Sequence, residues 1–238
     1  MRPRFEELDW QETPRGEISL RRRVEPTLGV DVYEVKLGEE FLMSSLFTAA
    51  EEELARLGLG AVSADSDRRL DVLVGGLGLG YTAVTALADP RVQTLTVVDA
   101  MPPVVEWHRR GLLPDATGLA DDPRSRLVVA DVFTLLAGED EPAPGTAAYD
   151  VILLDVDHTP RHLLHPDHAG FYTETGLARM RERLRPGGAF ALWSDDPPDA
   201  DFLSVLRGVL PEARAEVVAF PNPLTGGDSS NTVYVASH

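Results

Sequence analysis

The run Asp71-Val-Leu-Val-Gly-Gly-Leu-Gly-Leu-Gly80 carries an apolar stretch into glycines at 76, 78 and 80. Glycines at such a turn let the backbone bend sharply and leave room for a ligand against the main chain. The helix expected after them offers free N–H donors at its N-terminus. Asp99 closes the next apolar stretch, Leu95-Thr-Val-Val-Asp99, 19 residues after Gly80. An acid there accepts hydrogen bonds from ribose hydroxyls. Asp131, after Val128-Val-Ala, suits either an exocyclic amine on an adenine ring or a helix N-cap over Val132–Leu136, and both roles are compatible. The segment Tyr149-Asp-Val-Ile-Leu-Leu-Asp155-Val-Asp157-His158 places three more titratable groups at a strand end. Ligands of open α/β sheets sit beyond such carboxyl ends. Asp155 is the candidate for touching the transferred group or its acceptor. Asp155, Asp157 and His158 are the candidate catalytic residues, able to take a proton from an amine or hydroxyl.

The glycine spacing discriminates among cofactors. A dinucleotide fingerprint reads G-x-G-x-x-G, whereas this loop reads G-x-G-x-G and has Tyr81 where the third glycine would fall. NAD and FAD are therefore disfavoured, and no Gly-Lys-Ser/Thr follows to make a P-loop. His158, His162, His165 and His168 crowd the loop after Asp155 with Asp157 and Asp167. Pro160 and Pro166 break any single helix there, so the cluster reads as a loop lining an acceptor pocket, with no metal site.

These residues need a scaffold of alternating strands and helices. Strands are expected over 70–74, 95–98, 126–129, 151–154, 189–193, 215–220 and 232–236, with helices over 81–88, 103–111, 170–184 and 199–210. Uniformly apolar strands imply a sheet covered on both faces. The last two strands follow each other without a helix and are expected to pair antiparallel at one edge. Trp193, Ser194, Asp195 and Asp196 read as the rim of an acceptor pocket or the approach to a helix. Loop 222–231 reads as a lid or a hairpin connection. Residues 1–60 form a separate unit: alternation over 17–24 and 30–37 predicts a β-hairpin, 39–44 a short strand, and 46–57 a connecting helix. Residues 61–238 form the main domain. The acidic Gly138–Thr146 stretch reads as a surface loop.

Composition narrows the function further. The chain of 238 residues has 39 acidic and 22 basic side chains, a net charge of -17 and no cysteine. Thiol chemistry and disulfides are excluded. So much negative charge disfavours nucleic acid and anionic membranes, and tolerates a cationic substrate. The segment Met1–Gln11 has no apolar core of a signal peptide, and no apolar run reaches membrane-spanning length, so a soluble cytoplasmic protein is expected.

The glycine loop, Asp99 followed by Pro102 and Pro103, the Ala130-Asp131 pair, the Tyr149–Asp155 run and Leu184-Arg-Pro-Gly-Gly188 together resemble the spermidine synthase-like branch of the class I S-adenosylmethionine (SAM)-dependent methyltransferase superfamily. The likeness covers nearly the whole chain. It implies a Rossmann-like, seven-stranded α/β SAM-dependent methyltransferase sheet with a small N-terminal β-unit. The cofactor it implies is SAM or decarboxylated SAM. Gly76, Gly78 and Gly80 would surround its amino-acid or aminopropyl portion, Asp99 would hold the ribose and Asp131 the adenine. Asp155 would face the acceptor, and the N-terminal β-unit offers a homodimer surface. Aminopropyltransferases carry an aspartate inside the glycine loop, where this chain has Leu79. Their Asp-Ser-Ser-Asp-Pro loop is here Asp155-Val-Asp-His-Thr-Pro, and their Tyr-His-Glu segment is replaced by Met43–Glu53. Methyl transfer to a small-molecule acceptor is accordingly the leading expectation. Aminopropyl transfer from decarboxylated SAM to a polyamine, and a non-catalytic adenosyl-binding role, are the alternatives.

Overall fold

A computed structural model describes residues 4–62, 68–139 and 148–238. Most of the expected acidic loop, from residue 140 on, lies outside them. Among the described residues the chain builds two sheets. The first is an antiparallel meander of β1 (Phe5–Thr13), β2 (Gly16–Val24), β3 (Asp31–Leu37) and β4 (Glu40–Ser44). Glu34, almost fully buried on β3, accepts from Arg21 Nε and Arg23 Nε at 2.7 Å each and ties β2 to β3. β1 is an element that alternation alone does not predict. Its pairing with β2 shifts register between Glu7 and Asp9, and such a bulge breaks the two-residue period. The Trp107 indole N–H donates to Asp9 Oδ2 at 2.7 Å, which anchors β1 on the main domain.

The second sheet has seven strands in the order β10-β11-β9-β8-β5-β6-β7. They are β5 (Leu70–Gly75), β6 (Val92–Asp99), β7 (Ser125–Val129), β8 (Tyr149–Leu154), β9 (Leu184–Ser194), β10 (Arg214–Asn222) and β11 (Gly227–Ser237). Strands β5 to β9 are parallel; β11 is antiparallel to β9 and β10, so the expected terminal hairpin forms the sheet edge. Its strands stay paired out to Asn222 and Gly227, so loop 222–231 is mostly hairpin.

Alternate residues of the central strands serve opposite faces. Val151 and Leu153 pack with α1 (Ala49–Gly60), α2 (Tyr81–Ala88) and α3 (Pro102–Arg109). Ile152 and Leu154 pack with α4 (Val132–Ala137), α5 (Glu174–Arg181) and α6 (Ala200–Val209). Both faces are thus covered, which explains the uniformly apolar strands. α1 comes close to the sheet because Gly58 has no Cβ, which would collide with Leu153. Below the sheet, buried Asp150 accepts from Arg68 and Arg185 and from the Asp71 amide, joining the starts of β5, β8 and β9. No helix among the described residues is long and apolar enough to cross a membrane.

Candidate functional site

The strand order reverses between β5 and β8, and the cavities open beyond the carboxyl ends of these strands. Gly76 follows β5 with φ +89°, a region that side chains avoid, and a Cβ on it would run into the Asp155 carbonyl. The loop therefore lies directly against the end of β8, where the Asp155 amide donates to Gly75 O at 2.8 Å. Gly78 and Gly80 continue the turn, and α2 starts at Tyr81.

Asp99 holds this loop. Its Oδ2 accepts from the Leu77 amide at 2.9 Å and the Gly78 amide at 3.4 Å, and its Oδ1 from the Met101 amide at 2.8 Å. Burial outweighs these donors and holds the carboxyl above its usual range. Asp131 Oδ1 caps α4 through the Phe133 amide at 2.8 Å, and the residue also lines the cavity. Its Oδ2 meets Arg15 Nη2 at 3.0 Å, a contact from the β1–β2 turn that no sequence pattern announces.

A cavity of about 730 Å³, its open mouth included, lies between these groups. Ile18 and Val35 from the small sheet close it from above, and Met101, Val132 and Phe133 give it flat apolar walls, with Asp99 and Asp131 at its edge. This is the composition that an adenosine needs: apolar faces for the ring and acids for ribose and amine. The cavity residues fit an adenosyl cofactor.

A second cavity of about 620 Å³ lies on the far side of the glycine loop. Gly78–Tyr81, Glu51, Asp155, His158 and Trp193 line it, and among the described residues no arginine or lysine does. Asp155 belongs to both walls, as do Leu42 and Met43 of β4. Burial raises the Asp155 carboxyl to about 6, against a hydrogen bond from the Thr82 hydroxyl at 3.0 Å. Burial, and then the Asp155 charge, raise Glu51 to about 8. The space continues outward past Phe47, Asp195, Phe220 and Asn231. Trp193 and Asp195 thus form a cavity rim, and the helix after them waits until Ala200, capped by Asp199.

Of the three residues expected to act on the acceptor, the structure brings Asp155 and His158 to the cavity and not Asp157. His158 Nε2 stands 3.1 Å from Glu40 Oε1 at the entrance. Asp157 is 1% exposed and turned inward. It accepts from the Leu164 amide at 2.7 Å, from the Tyr172 hydroxyl at 2.8 Å, and lies 2.8 Å from His168 Nδ1. His168 in turn stacks at 4.2 Å on Phe133 of the first cavity. Asp157 is therefore a brace for the wall, its acceptor positions filled by protein donors. The remaining histidines pair off, His162 with His158 at 4.9 Å between ring centres and His165 with His168 at 5.8 Å, and among the described residues no three ligand-type side chains are gathered for a metal ion.

Glu51, Thr82 and Arg15 were not singled out as site residues by sequence reasoning, and His168, expected on a loop lining the acceptor pocket, is instead buried against the first cavity. For Glu51 a sign existed. It stands three, four and seven positions before Leu54, Ala55 and Gly58, all buried, so it shares the inward face of α1.

No protein-family profile matches the chain. It is 31% identical over 169 residues to polyamine aminopropyltransferase 2 of Pseudomonas aeruginosa, covering 67% of this chain and 45% of that one. The polyamine aminopropyltransferase of Bacillus subtilis is 32% identical over 126 residues, 53% of this chain and 41% of that one. The chain spans less than half the length of these curated relatives. Among solved structures, a spermidine synthase in complex with the transition-state analogue AdoDATO matches with a TM-score of 0.74 at 19% identity, over 97% of this chain and 73% of that one. Human methyltransferase-like protein 13 in complex with SAH matches at 0.58 and 22% identity, over 79% and 81%.

The expectation of methyl transfer is corrected by these relatives, which are polyamine aminopropyltransferases. Its grounds were the apolar Leu79, the altered loop after Asp155 and the replaced Met43–Glu53 segment. The first of these is offset by Glu51 and Asp155, which bring carboxylates to the cavity that Leu79 lines. The chain is a sequence relative of the polyamine aminopropyltransferases with the fold of the spermidine synthases, a branch of the class I SAM-methyltransferase-like fold.

Proposed function

We propose that the protein transfers an aminopropyl group from decarboxylated SAM to an amine acceptor of the polyamine class. The observation that carries this reading is the pairing of the two cavities at Asp155, one apolar with acids at its edge and one acidic with no arginine or lysine among its described lining residues. The first fits an adenosine. The second suits ammonium groups, those of the donor's tail and of the acceptor chain, which would meet the carboxylates and the Trp193 ring. When bound, decarboxylated SAM supplies an alkyl carbon on a sulfonium: the acceptor nitrogen forms the new C–N bond, the C–S bond breaks, and sulfur keeps the pair in methylthioadenosine.

The chain's own residues supply position and proton control. The glycine loop and Asp99 hold the adenosyl end, and the Asp131 carboxylate the ring edge. Asp155, at the junction, holds the acceptor nitrogen beside the donor, and alignment of this kind is the main source of rate in such a displacement. His158, at the entrance, receives the proton that the nitrogen must lose before it attacks. The relatives named above support this reading, since they are polyamine aminopropyltransferases. The test is direct. The purified chain is incubated with decarboxylated SAM or SAM and 1,4-diaminobutane, and methylthioadenosine and the alkylated amine are measured by mass spectrometry. Aminopropylated product with the decarboxylated donor is expected; a methylated amine from SAM in its place would overturn the reading.

A further inference from the structure

Glu51 is the one acid of the second cavity that comes from neither the glycine loop nor a strand end. It sits in the first turn of α1 and is carried inward with Leu54 and Ala55. The charges acting on it are those of Asp155 at the end of β8, Asp195 beyond β9 and its neighbour Glu52, all of one sign. Tyr81 on α2 and His158 complete the titratable groups around it. The Thr82 hydroxyl stands 3.0 Å from Asp155 Oδ2 and 3.2 Å from the Glu51 carbonyl oxygen, so α2 couples the helix to the strand end. On the same wall the Trp193 indole nitrogen is buried with no hydrogen-bond partner among the described residues. Leu79 is there too, 5% exposed, with no polar atom to offer.

The wall made by Leu77–Tyr81 belongs to the loop that surrounds the tail of an adenosyl donor, the part beyond sulfur. Two donors differ only there: SAM ends in an ammonium and a carboxylate, decarboxylated SAM in an ammonium alone. A cavity with two carboxylates and, among the described residues, no arginine or lysine to pair a carboxylate attracts the second and repels the first. We propose that Glu51 is the specificity-determining residue for the donor, holding the aminopropyl ammonium and rejecting the carboxylate of SAM. This rests on the function proposed above and deepens it: selection that a loop acid would give is supplied from α1 instead.

A consequence distinguishes this from a structural role. A carboxyl held well above its usual range in the empty site releases its proton when an ammonium binds beside it. Binding of decarboxylated SAM therefore releases protons near neutral pH and tightens as the pH rises from 6 to 8.

The test is isothermal titration of wild type and Glu51→Gln with decarboxylated SAM, SAM and methylthioadenosine, in two buffers of different ionisation enthalpy. Wild type is expected to prefer decarboxylated SAM to SAM by roughly 30-fold or more, the size of one charge-assisted pair in a partly dry site. In Glu51→Gln the preference shrinks to about threefold and the proton release is lost. Methylthioadenosine, which has no charged tail, binds both proteins equally and reports an intact fold. An unchanged preference with unchanged proton release in Glu51→Gln would overturn the inference, as would a wild type that binds SAM as tightly as the decarboxylated donor. A wild type that selects the decarboxylated donor but alkylates no amine would overturn the proposed function and leave the role of Glu51 standing.

Discussion

Asp155 and Asp157 stand two residues apart and face opposite ways: Asp155 is on the wall of both cavities, and Asp157 lies beneath it, bound to His168 at 2.8 Å. In an extended strand residues two apart share a side. Here β8 ends at Leu154 and the chain turns, so neighbouring acids of one type take up different work.

Asp155→Asn keeps the shape of the wall and removes its charge. Transfer is expected to fall by roughly 10²- to 10⁴-fold, the range for losing a group that handles the reacting proton or nitrogen. Methylthioadenosine binding, measured by calorimetry, stays near the wild-type value. Turnover at the wild-type rate would remove Asp155 from its role.

Asp157→Ala does the reverse. It leaves the Leu164 amide, the Tyr172 hydroxyl and His168 without their acceptor in a buried place. The expected cost is about 2–4 kcal/mol of unfolding free energy. The check is urea denaturation, and a midpoint equal to wild type would contradict it.

Glu51→Gln should make the protein more stable as it makes it less selective. The folded carboxyl titrates at about 8, the unfolded one at its ordinary 4.5. Between those values the folded chain binds the extra proton, so wild-type stability falls as the pH rises through that window. The substitution removes the loss. Allowing for solvent screening, it amounts to about 2 kcal/mol at pH 8, or roughly 4–8 °C in Tm for a chain of this size. Scanning calorimetry at pH 5 and pH 8 checks it: the variant should be the more stable at pH 8, with the difference shrinking towards pH 5.

Gly76→Ala tests the loop. Both its φ of +89° and the closeness of the Asp155 carbonyl exclude a methyl group. A cost of at least about 2 kcal/mol and a loss of adenosyl binding are expected. Melting temperature and a methylthioadenosine titration, run together, read both.

Much of this arrangement is legible from sequence because it follows local rules. Gly76, Asp99, Asp131 and Asp155 each close an apolar run, and a parallel sheet brings such closures to one edge. What was hidden depends on distance along the chain or on a broken period. β1 escaped because its bulge after Glu7 scrambles the alternation. Arg15 meets Asp131 across 116 positions, which no local pattern records. Glu51 stands in a run with Glu52 and Glu53, and only its spacing to Leu54 and Gly58 points it inward.

Leu42 and Met43 of β4 form part of the wall of both cavities. One short strand of the small sheet is therefore in contact with whatever occupies either side. Any free energy that an adenosyl ligand spends in placing β4 appears in the affinity for the amine, and the amine returns the same factor to the adenosyl ligand, because such linkage is reciprocal. On the proposed function, the small N-terminal sheet would be a coupling element, through which the two substrates sense each other before they react.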